Sequence, residues 1–205
     1  MVKLMSSKKS KSPFNLKLTA TCGILGMLIL YIFIFAAISV SPWFSWTNNA
    51  LSDLGNSTRN SSPIFNAGLI ISGIVIVVFP LGLRAETKKN TVEHLGTIAL
   101  IVSAIALIGV GIFPENFVLE HVITAGTMFL LNTVGLFLFG LAFIRSKSMR
   151  LLGVLSVLLA IASAVIWVPI WGRGIAIPEM IASAAVYILM LVLSVRLLSS
   201  EKVAP

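Results

Sequence analysis

Six long apolar runs dominate the sequence, separated by charged residues or by turns rich in Pro and Gly. Each run has about 19–23 residues, which at 1.5 Å per residue matches a hydrocarbon core of about 30 Å. The strict alternation of apolar and polar residues that a transmembrane β-strand needs is absent from the sequence. The pattern predicts an all-α, polytopic integral membrane protein with six transmembrane helices, at residues 19–40, 64–83, 95–113, 122–144, 151–171 and 177–198.

Composition strengthens this interpretation. Of the 205 residues, 58% are hydrophobic and only 11% are charged, whereas soluble domains carry about 25% charged residues. There is too little polar side chain to cover a surface in water. We therefore predict a basic cytoplasmic tail at residues 1–18, a six-helix membrane domain at 19–198 and a short cytoplasmic tail at 199–205.

The distribution of Lys and Arg predicts the orientation of the chain. Thirteen of the 15 basic residues fall near the two ends of the chain and in the connections after the second and fourth runs. The opposite side carries only Arg59 and Arg173. By the positive-inside rule both termini are cytoplasmic, in a multi-pass protein of the cell membrane. The formal charge of +8 is then a topology signal, and since no base-reading element is present we expect no nucleic-acid partner.

The absence of deep charged residues and of known catalytic motifs argues against several functional classes. No charged residue lies deep within a run, and an ion-coupled carrier or a selective ion channel usually needs one. P-loop, HExxH, CxxC and GxSxG motifs are also absent. Asn132 is the most polar residue at depth, and we expect it to face protein rather than lipid. The sequence predicts no cofactor and no metal site.

The remaining polar residues gather at the predicted outer side. Glu179, Ser183 and Tyr187 are spaced to share one face of the sixth helix, and His121 and Asn132 share a face of the fourth. Two polar stripes descending from the same side predict a cavity open to the outer leaflet. The candidate ligand-binding residues are Asp53, Asn66, His121, Asn132, Arg173 and Glu179.

Three segments carry a resemblance to a known family. They are LSDLG at 51–55, FNAG at 65–68, and GIFP at 111–114, the last followed by His121. Together they resemble the bacterial and archaeal membrane proteins grouped as domain of unknown function 998, over about residues 23–198. The resemblance implies a multi-helix membrane protein without a settled activity. It marks Asp53, Asn66, Pro114 and His121 as the positions that match the family pattern.

Three functional hypotheses follow. The first is a non-catalytic module that binds a membrane lipid or small ligand at the outer face, or serves as a subunit with other membrane proteins. The second is a membrane-embedded hydrolase acting at the outer leaflet through Asp53 and His121, with Ser52 as a candidate nucleophile. The hydrolase hypothesis is weakened because Ser52 and Asp53 are adjacent, and the side chains of neighbouring residues point in different directions. A passive facilitator is the third.

The first outer loop, residues 41–63, is expected to fold back over the helices. Leu51 and Leu54 flank the acidic Asp53 and should dock on the helix ends, which would bring Asp53 near His121 or Arg173. Glu115, in the connection between the third and fourth helices, is expected to be a solvated loop residue.

Overall fold

The computed structural model describes residues 15–86, 91–168 and 173–201, and all regular structure in these residues is helical. The predicted all-α class is confirmed. Seven α-helices and one short 3-10 helix (Ser52–Gly55) follow in chain order. The α-helices are α1 Leu16–Ser39, α2 Ser62–Ile76, α3 Val78–Glu86, α4 Thr91–Ile112, α5 Val118–Ile144, α6 Arg150–Val165 and α7 Ala176–Glu201.

Within the described residues, five helical segments are long and apolar enough to cross a membrane. They are α1, α4, α5, α7 and the segment Ser62–Arg84, which combines α2 with most of α3. Their outward-facing side chains, such as Leu28, Ile32 and Leu130, are large, apolar and exposed. A surface of this kind is stable in lipid and not in water. Segments of this length and composition indicate an integral membrane protein.

The second predicted span, 64–83, is divided at Val77 into α2 and α3. Helical hydrogen bonds continue on both sides of the division, from Val77 N–H to Gly73 and from Leu81 N–H to Val77. Pro80 explains the interruption, because it has no N–H to donate to the carbonyl of Ile76 and its ring crowds that carbonyl. The predicted span is confirmed as one segment of spanning length, Ser62–Arg84, with a break at Val77.

The fifth predicted span, 151–171, is shorter in the structure. Helix α6 has 16 residues and ends at Val165, so it is about 24 Å long against a hydrocarbon core of about 30 Å. Pro169 follows in the sequence, and a proline disfavours helix in the residue before it. The end of the predicted span, residues 169–171, lies outside the described residues. In the residues that the structure describes, six apolar segments are helical and five of them reach spanning length.

The ends of the first and last helices also differ from the predicted tails. Helix α1 starts at Leu16 because the Asn15 side chain accepts a hydrogen bond from Leu18 N–H at 2.6 Å, which caps the helix. Helix α7 continues to Glu201, beyond the predicted limit of 198. The rest of the two predicted tails, residues 1–14 and 202–205, lies outside the described residues.

The five spanning segments form a closed ring. Helix α1 packs on α2, α2 on α4, α4 on α5, α5 on α7, and α7 returns to α1. The short α6 packs outside this ring against α5 and α7. One end of the ring carries the segment 40–61, the turn 113–117 and residues 173–175. We call it the loop end, and it corresponds to the predicted outer face.

Candidate functional site

The segment 40–61 folds back over the loop end, as the sequence predicted. Leu54 is fully buried and Leu51 is only 6% exposed, which confirms that both leucines dock on the bundle. The segment 47–49 before them is tied to residues 173–176, at the start of α7, by three backbone hydrogen bonds. The N–H groups of Arg173 and Gly174 donate to the Thr47 carbonyl at 2.9 and 3.0 Å, and Ala176 N–H donates to Asn49 at 2.9 Å.

The 3-10 helix after Leu51 is held by the first turns of α2. The Ser61 hydroxyl donates to the Leu54 carbonyl at 2.8 Å, and Ser62 and Asn66 both donate to the Gly55 carbonyl at 2.9 Å. Asn66 therefore braces the loop. Its side-chain oxygen is buried and has no hydrogen-bond partner among the described residues. Two of the family-pattern segments, 51–55 and 65–68, thus meet here.

Asp53 serves the loop itself. Its carboxylate accepts hydrogen bonds from the Asn49 side chain at 2.7 Å and from Ala50 N–H at 3.2 Å. The expected hydrogen bond to His121 or Arg173 is not formed, because the local turn places closer donors beside the carboxylate. Arg173 is exposed. The other cation of this face, Arg59, stacks over the Trp43 ring at 4.1 Å from its centroid.

Glu115 links the turn 113–117 to the loop, so the expectation of a freely solvated side chain was wrong. It is half-buried and accepts a hydrogen bond from the Asn56 side chain at 2.6 Å. Burial raises the pKa of the Glu115 carboxyl, and the neighbouring Asp53 raises it further, while the Asn56 hydrogen bond and the His121 charge act in the opposite direction. Asp53 and Glu115 therefore form a pair of neighbouring carboxyl groups.

Glu179 lies in the first turn of α7 and is only 7% exposed. One of its carboxylate oxygens accepts a hydrogen bond from Leu51 N–H at 2.5 Å. The carboxylates of Asp53 and Glu115 are near enough to interact with it electrostatically. No described Lys or Arg pairs with Glu179. The loop end therefore brings three carboxyl groups together, and that of Glu179 is buried.

His121, in the first turns of α5, is oriented by the turn before that helix. Its Nδ1 lies 2.8 Å from the Phe113 carbonyl oxygen. Because a carbonyl can only accept, Nδ1 carries the proton, and in the neutral ring Nε2 keeps a free lone pair. The bond to Phe113 takes the place that an orienting carboxylate would hold in a Ser-His-Asp arrangement. Ser52, Asp53 and His121 thus form no hydrogen-bonded triad.

An internal cavity of about 50 Å³ lies below the loop. All five spanning segments contribute to its lining, as do Leu51 and Ser52, and none of the lining residues comes from α6. Most of the wall is apolar. The polar lining residues are Ser52, His121, Asn132, Glu179, Ser183 and Tyr187. The two stripes predicted on the fourth and sixth spans therefore do face one cavity.

Asn132 forms the floor of this cavity. It is 8% exposed and lies 2.8 Å from the Ser103 hydroxyl, which confirms that it faces the bundle. Ser103 also lies 2.9 Å from the Met128 carbonyl, but its hydroxyl has a single proton to donate. The Ser103 hydroxyl therefore donates either to the Met128 carbonyl or to Asn132 Oδ1, and the Asn132 NH₂ group has no hydrogen bond to either residue. A second cavity of about 20 Å³ adjoins here, and Asn132 and Tyr187 line both.

A comparison with protein families places the chain. The sequence profile of the family described as "protein of unknown function (DUF998)" matches residues 24–196. The chain belongs to the DUF998 family. No curated protein and no solved structure matches the chain. The matched region contains every residue that lines the two cavities.

In this DUF998 protein the sequence-based candidates separate into two groups. Ser52, His121, Asn132 and Glu179 line the cavity. Asp53 and Asn66 brace the loop above it, and Arg173 lies exposed at its edge. Among the described residues no group of three or more His, Cys, Asp or Glu side chains could hold a metal ion.

Sequence reasoning missed the contacts that close the cavity. Glu115 joins Asn56 from 59 positions away, and Glu179 joins Leu51 from 128 positions away. No motif of fixed spacing signals such pairs. The available signal was chemical, since Glu179 begins an apolar helix where an acidic side chain needs a donor.

Proposed function

We propose that this DUF998 protein is a non-catalytic membrane protein that binds the polar head of a membrane lipid in the cavity below its loop. The carrying observation is the set of hydrogen-bonding atoms left free inside a largely apolar space. Within the described part of the chain, no hydrogen bond is formed by the second carboxyl oxygen of Glu179, by Nε2 of His121 or by the NH₂ group of Asn132. Unpaired buried polar groups cost free energy, so a bound group that pairs with them gains it.

The free atoms define the chemistry of the head. A carboxylate oxygen and an imidazole lone pair both accept hydrogen bonds, and the nearby carboxylates of Asp53 and Glu115 favour positive charge. A primary ammonium group combines several donors with a positive charge. A cavity of about 50 Å³ has room for roughly three to five water molecules. It therefore suits the end of a small head group, with the rest of the lipid outside.

Two other functions rank lower. A hydrolase at the outer leaflet would need a group to activate Ser52, and the Asp53 carboxylate is engaged by Asn49 and Ala50 instead. A passive facilitator would need a continuous passage. The two cavities are small, and the apolar side chains of Leu107 and Met128 line both of them. These side chains restrict a passage from the loop end to Pro80, which lines the smaller cavity.

The orientation of the loop end is part of the proposal. With the loop outside and both termini in the cytoplasm, a cysteine introduced at Asn60 should react with a membrane-impermeant maleimide added to intact cells. A cysteine introduced at Lys88 should react only after the membrane is opened. The opposite labelling pattern would place the cavity at the inner leaflet.

The cavity itself is tested by filling it. Ala125→Leu places a branched side chain in the cavity wall, whereas Ala162→Leu adds the same atoms to the exposed surface of α6. Each protein is purified from equal mixtures of phosphatidylethanolamine, phosphatidylcholine and phosphatidylglycerol, and retained lipids are counted by native mass spectrometry. We expect wild type and Ala162→Leu to retain phosphatidylethanolamine preferentially, and Ala125→Leu to lose that preference.

The three head groups separate the contribution of positive charge from the contribution of hydrogen-bond donors. Phosphatidylcholine keeps a positive charge without N–H donors, and phosphatidylglycerol has donors without a positive charge. Equal retention of all three lipids by wild type would refute selective binding of the head group in the cavity. A preference for phosphatidylethanolamine that survives Ala125→Leu would refute it as well.

A further inference from the structure

A long apolar groove lies on the lipid-facing side of the contact between α1 and α7. Its volume is about 430 Å³, and its accessible lining is entirely apolar. Helix α1 contributes residues between Ile24 and Phe35, and α7 contributes residues between Met180 and Leu191. The small side chain of Ala184 gives the groove its depth between larger neighbours.

The groove covers one leaflet. From Ile24 to Phe35 the helix rises about 16 Å, about half of a hydrocarbon core of 30 Å. Phe35 and Met180 lie near the helix ends at the loop end, whereas Ile24 and Leu191 lie near the helix centres. A transmembrane helix of a partner would need a groove through both leaflets. An acyl chain from the leaflet beside the loop end matches the observed length.

The groove and the polar cavity are the two sides of one helix contact. On α7, Met180 and Ala184 line the groove while Glu179 and Ser183 line the cavity. On α1, Tyr31 lines the groove while the adjacent Leu30 lines the cavity.

Two tyrosines form the boundary between these spaces. The rings of Tyr31 and Tyr187 meet edge to face, with centroids 5.6 Å apart. Tyr187 lines both the groove and the cavity. It is 8% exposed, and the buried hydroxyl of its neighbour Tyr31 has no hydrogen-bond partner in the described part of the chain. A polar group crossing the helix contact would therefore meet a free hydroxyl at the boundary.

We infer that the ligand is a lipid of the leaflet beside the loop end, with one acyl chain in the α1–α7 groove and its head reaching between the helices into the cavity. This inference rests on the proposed head-group site and adds the chain site and the route. The Tyr31–Tyr187 pair is the boundary that the head must pass. The lipid therefore arrives sideways from the membrane, and the loop above the cavity stays closed.

The test distinguishes binding of the lipid's acyl chain in the groove from binding of its head group in the cavity. Ala184→Phe fills the groove, and Ala162→Phe makes the same change on the exposed face of α6. Native mass spectrometry measures retention of a long-chain phosphatidylethanolamine and of a short-chain one whose acyl groups end before the groove does. We expect Ala184→Phe to reduce long-chain retention about tenfold and to leave short-chain binding unchanged. Ala162→Phe should change neither.

A second variant guards against misfolding of the first. Ile188→Ala removes part of the groove wall at a position that is 43% exposed, and it should lower long-chain retention in the same direction. Unchanged long-chain retention in both groove variants, or an equal loss in Ala162→Phe, overturns the inference. So does a change in oligomeric state with Ala184→Phe, which would assign the groove to a second copy of the chain. The proposed function is tested by a different variant, and it fails if the preference for phosphatidylethanolamine survives Ala125→Leu.

Discussion

Replacing Glu179 with glutamine is expected to lower phosphatidylethanolamine retention about 10- to 100-fold, since a hydrogen bond to a charged group contributes roughly 1.5–3 kcal/mol. The amide oxygen of glutamine can still accept the hydrogen bond from Leu51 N–H, so the loop should remain docked. The amide NH₂ would then occupy the position of the free carboxylate oxygen. A donor would then face the ammonium group where the carboxyl oxygen of Glu179 accepts from it.

Glu120→Gln is the matched control, because Glu120 lies in the first turn of α5 but is exposed. It should leave both lipid retention and the thermal midpoint unchanged. Retention by Glu179→Gln equal to that of wild type would remove Glu179 from the proposed site. A large fall in the thermal midpoint of Glu179→Gln would instead make the carboxylate a structural group.

Gly174→Ala is expected to detach the loop from α7 and to lower stability by about 1–3 kcal/mol, the usual range for an overpacked site. A Cβ atom on Gly174 would overlap the backbone of Asn49. Backbone atoms cannot rotate away as a flexible side chain can. Relief therefore requires breaking the hydrogen bonds from Gly174 to Thr47 and from Ala176 to Asn49.

The measurement is the thermal midpoint in detergent together with maleimide labelling of a cysteine at Ser52, which should accelerate when the loop lifts. Gly126→Ala is the control, since a Cβ atom there meets nothing within 4 Å. Gly126 lies within α5, so alanine should be neutral or stabilising by about 0.5–1 kcal/mol. Equal behaviour of the two variants would show that the close approach of Gly174 to Asn49 does not hold the loop.

Local chemistry explains why parts of the site were predictable. Leu51 and Leu54 docked as expected, because two leucines beside an acidic residue gain free energy from burial wherever an apolar surface is near. Asn132 faced the bundle because its amide needs a partner that lipid cannot supply. The spacing of Glu179, Ser183 and Tyr187 put all three on one helix face, and the cavity lies against that face.

The partner of Asp53 was not predictable in the same way. Asn49 and Ala50 are close to Asp53 in sequence, but Asn49 is also held by a distant residue, since its carbonyl accepts a hydrogen bond from Ala176 N–H. Glu115 was misjudged for a related reason. Its donor, Asn56, arrives from a different connection, and nothing in the residues around Glu115 indicates it.

The sequence by itself determined the membrane class, the helical state of the six apolar segments and the faces that carry polar residues. These features depend on hydrophobicity and helical periodicity, which act over a few turns of chain. Only the tertiary structure decided that α6 lies outside the ring, that Glu179 receives Leu51 N–H, and that the groove and the cavity share Tyr187. Apolar helices of similar length can pack in many orders, and contacts between distant residues are fixed by which small and polar side chains fit together.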